Sequence, residues 1–259
     1  MTAVLYAIPA SHPCAAVEKA LQLKDLPYRR VELIPVVHRV SQRARFGTGV
    51  VPAVEFADGT RVSGSRAILR ALDERVPAPA LRPRDPDARA IVERAEEWGE
   101  QVLQPLARRL AWAALRRAPG ALTSYAAGAD LPVPTAVARL TAPFTARLGR
   151  FANGAADPAV RADLIGLPKH MARIDAWLAD GTLGGEPPNA ADLQIAAGVR
   201  LLLTIEDVRP LLADHPAAAL AQRVFPEYPG AVPAGVLPAE WITGAAGASA
   251  PRPAPSRAV

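Results

Sequence analysis

Four prolines within ten residues, Pro77, Pro79, Pro83 and Pro86, impose the strongest constraint on what this 259-residue chain can fold into. Each ring fixes φ and removes a backbone donor, so neither a continuous helix nor a sheet ladder can run through the segment. The two sides differ in pattern. Residues 1–76 alternate short β-branched runs with amphipathic stretches, which predicts a small sheet with helices packed on it. Residues 88–243 look helical throughout. The segment 77–87 therefore reads as a linker between two domains. Residues 244–259 are small and proline-rich, carry charge only at Arg252 and Arg257, and are expected to form a disordered tail.

In the first part, Val4 to Ile8 reads as a buried strand. A helix follows, with Val17, Ala20, Leu21 and Lys24 at helical spacing and Pro13 in its first turn, where a missing N–H costs nothing. Tyr28 to Leu33 is a second strand. The basic segment His38 to Arg45 has no pattern that assigns it. Val50 to Phe56 and Arg61 to Val62 flank Asp58-Gly59, a strong hairpin signal, so these strands should be antiparallel. Ser63-Gly64-Ser65 opens a helix with Ile68, Leu69, Leu72 and Val76 on one face. Beyond the linker, Ile91, Ala95, Trp98, Val102, Leu106 and Leu110 form a stripe kinked at Pro105, and further helices are expected at 135–151, 159–178, 190–205 and 216–224.

Composition narrows the function. Hydrophobic residues make up 50% and charged residues 21%, which excludes wholesale disorder. The most apolar window, Ile195 to Ile205, is broken by Arg200 and is too short for a bilayer span, and no basic residue precedes the apolar run near the N-terminus. A cytoplasmic protein without membrane attachment is expected. The net charge of +5 raises the question of nucleic acid. The arginines, however, alternate with acids, as in Arg89, Glu93, Arg94, Glu96 and Glu97, with few aromatics to stack on bases, so no nucleic-acid partner is expected. The single cysteine, Cys14, rules out an internal disulfide, and the four histidines show no metal spacing, so no metal is expected.

Four local features carry the chemistry. Ser11-His12-Pro13-Cys14 sits where the first strand meets the first helix, so unpaired N–H groups and the helix dipole favour a thiolate there. Val51-Pro52 interrupts a β-rich run, which demands an edge, a bulge or a cis bond. Gly64-Ser65-Arg66-Ala67-Ile68 opens a helix whose N-terminus can take a carboxylate. Asn189-Ala190-Ala191-Asp192 reads as a capping motif before an apolar helix.

In this order the four features resemble the glutathione S-transferase-like family up to about Trp241. The resemblance implies an α/β thioredoxin-like domain at 1–76, a linker at 77–87 and an all-α glutathione S-transferase C-terminal-like domain at 88–243. It also implies binding of glutathione or a related low-molecular-weight thiol as cosubstrate, conjugation to a hydrophobic electrophile in a detoxifying role, and a homodimer. Ser11 matches the serine that hydrogen-bonds the thiolate, with His12 in place of the usual following proline. Cys14 matches the resolving-type position of disulfide reductases; a small buried hydrophobe is the simpler role. Tyr6 reads as a packed strand residue. Pro52 would be cis and Val51 would pair with the cysteinyl backbone of the thiol. Gly64 and Ser65 match the γ-glutamyl site, although Gly64 lacks the acid or amide found there in the family. His38, with Arg39, Arg43 and Arg45, falls where cations meet the glycine carboxylate. Trp98, Arg108, Trp112 and Tyr125 are candidates for the electrophile wall. Two alternatives are a non-catalytic binding protein of the same fold and a thiol-disulfide reductase acting through Cys14.

Overall fold

The structure is a computed structural model that describes residues 2–249. Its first domain is a four-stranded sheet of order β2-β1-β3-β4, formed by β1 (Ala3–Ala7), β2 (Tyr28–Glu32), β3 (Ala53–Glu55) and β4 (Arg61–Ser63). β1 and β2 are parallel, so the chain must cross over between them, and α1 (His12–Leu23) makes that crossover. β3 runs antiparallel to both β1 and β4. The hairpin turns at Asp58-Gly59, where Gly59 takes φ +84 and Asp58 Oδ1 accepts from the Thr60 amide at 2.8 Å. The basic segment without a sequence assignment is a helix, α2 (His38–Phe46), ended by Gly47 in the left-handed conformation. α3 (Ser65–Arg75) closes the domain.

The second domain is helical: α4 (Pro86–Trp98), α5 (Gln104–Arg117), α6 (Leu122–Tyr125), α7 (Thr135–Ala152), α8 (Asp157–Ala179), α9 (Ala190–Leu202), α10 (Pro216–Val224) and α11 (Ala239–Ser249). Together with the sheet domain this is a thioredoxin-like α/β unit followed by an all-helical one. The expected kink is a π-helical turn at Gly99–Leu103, immediately before Pro105, joining α4 to α5. α9 is buried on nearly every face and packs on α1 of the first domain as well as on α4, α5 and α10. Close approach is possible because Gly99 and Gly198 have no side chain. A Cβ at Gly198 would lie 3.0 Å from Leu103, and one at Gly99 would lie 3.1 Å from Ile195. The capping motif forms as expected: Asn189 Oδ1 accepts from the Asp192 amide, and Asp192 Oδ2 accepts from the Asn189 amide.

One expectation needs correction. Residues 244–249, assigned to a structureless tail, belong to α11, and this helix packs on α8. The remainder of the tail, 250–259, lies outside the described residues. The proline-rich segment 77–87, read from the sequence as an interdomain linker, is pinned. Leu81 is fully buried and its carbonyl accepts from the Ala190 amide at 2.7 Å. Lys24 Nζ donates to Asp73 and to the carbonyls of Val76 and Pro79. Arg82 donates to Glu96 at 2.6 Å, with both side chains almost wholly buried and Arg66 on the other side of Glu96.

The Arg82–Glu96 pair generates a stability prediction. Replacing Arg82 by Met strands a carboxylate in the interface and should cost about 3 kcal/mol or more, read by denaturant unfolding. The double variant Arg82→Met/Glu96→Met should recover most of that loss, because two apolar side chains leave no unpaired charge.

Candidate functional site

β1 ends at Ala7, and the chain turns through Ile8, Pro9 and Ala10 before entering α1. Ala10 takes a left-handed φ of +53, and the Ser11 amide closes the turn on the Ile8 carbonyl at 3.2 Å. Ser11 stands at the N-cap of α1, yet its hydroxyl caps no amide. It lies beside Cys14 and on the surface of the cleft in front of the turn. From the second domain, the Tyr228 hydroxyl donates to the Ala10 carbonyl at 2.7 Å and braces the turn from behind. Burial raises the Tyr228 phenol well above its ordinary range, so it stays a donor.

In front of the turn lies a cleft of about 560 Å³ between the two domains. Ser11, His12 and Pro13 form its floor. The first-domain wall comes from Val36, His38, Arg39 and Arg43 and from Gly49 to Val51. Val36, a β-branched residue at φ +70, joins Ala10 as a second non-glycine residue in the left-handed region on the rim, the kind of backbone strain that concentrates at functional sites. The opposite wall is helical and largely apolar: Ala111, Trp112 and Leu115 of α5, then Leu122, Tyr125 and Leu131. Trp112 lies flat against α7 because Gly149 has no side chain there; a Cβ would come within 2.3 Å of the indole. No aspartate or glutamate lines the cleft, whereas Arg39, Arg43 and Arg108 do.

Protonation follows from burial. His12 is 2% exposed; burial, and after it the Arg108 charge, holds its imidazole well below the usual value, so the ring is neutral. Burial and the neighbouring Arg39 charge likewise lower His38. The positive charge of the cleft therefore resides on arginines. Tyr125 is pushed up to about 12 by burial, partly offset by its 2.6 Å contact with Thr204.

Among the residues singled out from sequence, Ser11, His38 and Val51 come together on the cleft, and the Val51–Pro52 bond is cis. Arg108, Trp112 and Tyr125 form the expected wall. The others lie elsewhere. Trp98 packs against Trp177 and His170 inside the helical domain, since its helix face turns toward α8 rather than toward the cleft. Cys14 points into the core at 1% exposure, and burial raises its thiol despite the Ser11 hydroxyl beside it, so it is not poised as a nucleophile. Gly64 and Ser65 do not line the cleft. The Gly64 amide is taken by the Pro52 carbonyl at 2.9 Å, and the buried Ser65 hydroxyl accepts from Nε2 of Gln104, at the start of α5, at 3.3 Å. Arg66 is not solvent-facing: it reaches Glu96 and Glu97 of α4. Arg45 is held by Glu55 and lies over the Tyr6 ring.

Sequence reasoning missed Gln104, Tyr228 and Gly149. Gln104 Nε2 also donates to Gln194 of α9 at 2.6 Å, so one side chain ties α3 and α9 to α5, and the backbone carbonyl of the same residue faces the His12 ring of α1. Tyr228 lies 218 residues from the carbonyl it holds, and no local pattern marks such a partner.

This cleft and fold have relatives. Residues 5–80 match the family model for the glutathione S-transferase N-terminal domain. The first domain is glutathione S-transferase-like. A glutathione S-transferase from Rhodospirillum rubrum F11 superposes with a TM-score of 0.60 at 22% identity, covering 91% of this chain and 98% of that one. A glutathione transferase from Populus trichocarpa gives 0.61 at 16% identity, covering 96% of this chain and all of the other. Maleylacetoacetate isomerase from Anaeromyxobacter dehalogenans, solved with glutathione in its active site, gives 0.52 at 22% identity over 86% of this chain and 89% of its own. At these identities the likeness establishes the glutathione S-transferase-like fold over both domains. No curated protein matches the sequence. Among the described residues no group of three or more histidine, cysteine, aspartate or glutamate side chains could hold a metal, and no helix is long and apolar enough to cross a membrane.

The burial of Cys14 predicts its reactivity. At mildly alkaline pH, iodoacetamide should label the native thiol at least about ten-fold more slowly than the denaturant-unfolded chain, followed by mass spectrometry. Separately, Gly149→Ala should displace the Trp112 indole, visible as a shift in tryptophan emission, and should destabilise the fold by about 1–3 kcal/mol through overpacking.

Proposed function

We propose that this protein is a thiol transferase: it binds glutathione or a related low-molecular-weight thiol in the inter-domain cleft and conjugates it to an electrophile with an apolar body. The observation that carries the proposal is the convergence, at one cleft mouth, of an uncapped Ser11 hydroxyl, the Val51 backbone beside a cis proline, and an apolar helical wall. Ser11 would donate to the thiolate and favour ionisation, the α1 N-terminus would add its positive potential, and the substrate thiol would be the nucleophile. Its sulfur forms a bond to the electrophilic carbon, the leaving group departs with its electron pair, and the thiol proton passes to solvent. Val51 would pair with the cysteinyl backbone, while His38 and the α2 arginines would face the glycine carboxylate. A reducing cytoplasm would keep such a thiol available.

One observation favours the non-catalytic alternative. The corner at Gly64 and Ser65, where a γ-glutamyl group would dock, is occupied by Gln104, and Gly64 supplies no acid or amide. A thiol shorter than glutathione would not need that corner. Calorimetric titration with glutathione and with free cysteine separates these cases: heat and thermal stabilisation with either one support the thiol site, and their absence with both removes it. Ser11→Ala should lower kcat for conjugation about a hundred-fold while the melting temperature changes little, because the hydroxyl makes no structural cap. Unchanged turnover would take Ser11 out of the mechanism.

A further inference from the structure

Arg108 is the one cleft arginine on the helical wall, and its surroundings are unusual. Its neighbour Arg109 is locked to Asp163 by two hydrogen bonds of 2.6 and 2.8 Å. Arg108 has neither an ion pair nor a hydrogen bond among the described residues, although it is only partly exposed and no carboxylate lines the cleft it faces. The titratable groups near it are the Cys14 thiol, which burial keeps protonated, and Arg39 and Arg109, both of its own sign; the adjacent His12 is neutral. Removing a guanidinium from water without a counter-ion is costly, and a fold tolerates it where a ligand completes the pair. Helix α5 places Arg108 one turn before Trp112 and two before Leu115, on the face that meets the apolar side of the cleft. A ligand paired with Arg108 therefore has an anionic end and an apolar body lying along Trp112.

We propose that the electrophile is an anion: an apolar, planar or extended acceptor bearing a carboxylate, with Arg108 as the residue that selects it. This inference rests on the thiol-transferase reading and names its substrate class. The two cation sets divide the work, because the α2 arginines stand on the thiol side of the cleft and Arg108 stands on the acceptor side. A fork of guanidinium donors matches a carboxylate in two parallel bonds, which a lysine cannot reproduce.

The test uses a matched pair of aryl chlorides, para-chloro-meta-nitrobenzoate and its carboxamide, with glutathione as the thiol. In each case the thiolate forms the carbon–sulfur bond, chloride leaves with the bonding pair and the proton passes to solvent; because the carboxamide activates the ring more strongly than the carboxylate, each kcat/KM is divided by the uncatalysed rate constant of the same acceptor, which leaves the charge at the far end of the ring as the difference read. Wild type should prefer the benzoate by about ten-fold or more in kcat/KM, through KM, and salt should erode that preference. Arg108→Met should abolish the preference, and Arg108→Lys should restore part of it. Equal normalised kcat/KM for the two acceptors in wild type overturns the proposal while leaving the transferase reading intact, and needs no variant to fold. If neither acceptor is turned over, quenching of tryptophan emission by unreactive meta-nitrobenzoate against meta-nitrobenzamide decides. Arg108-dependent preference for the benzoate upholds the anion site and sinks the transferase reading; no preference sinks the anion site as well.

Discussion

The arrangement depends most on a buried polar junction centred on Gln104. One amide side chain, on a residue 5% exposed, donates to Ser65 of the first domain and to Gln194 of the second, and the backbone carbonyl of the same residue faces the His12 ring. Buried amides left unpaired cost more than a made hydrogen bond returns, so the junction tolerates few other arrangements of α1, α3, α5 and α9. The two domains are therefore held in one register, and with them the two walls of the cleft. The pinned proline segment reinforces that register from the far side, through Lys24, Arg82 and Leu81.

The same junction determines the chemistry of the site. Burial and the Arg108 charge keep the His12 imidazole neutral against the opposing pull of the Gln104 carbonyl, while the Gln104 side chain takes up the Ser65 hydroxyl in the corner a family resemblance would give to a γ-glutamyl group. Cationic character is left to arginines alone. The cleft is consequently an electropositive mouth with an apolar far wall, bounded by a backbone turn that Tyr228 holds from behind. Its strained residues, Ala10 and Val36, sit on the rim rather than in the core, where a left-handed φ can be over-determined by neighbours without disturbing the sheet.

Local signals proved strong where local physics decides. The hairpin at Asp58-Gly59, the cap at Asn189 and Asp192, and the kink before Pro105 each depend on residues a few positions apart. They were legible because φ preferences and capping geometry act over that range. Ser11, Val51 and His38 were placed on a common site by the order of motifs. α2 was not legible, since its nine residues carry almost no apolar periodicity and only Gln42 is buried. Gly64, Ser65 and Trp98 were assigned roles by motif or by residue type that packing then reassigned.

By itself the sequence determined most of the element order, the break at residues 77–86 and the turn that carries Ser11. All of these follow from backbone preferences and short-range periodicity. Only the tertiary structure decided which polar groups would be consumed in the interface and which would be left facing the cleft. That outcome depends on partners tens or hundreds of residues away: Gln104 for Ser65, Tyr228 for Ala10, Asp163 for Arg109. A side chain's availability for chemistry is what remains after such partners are satisfied, and Arg108 is a half-buried cleft cation for which the described residues supply none.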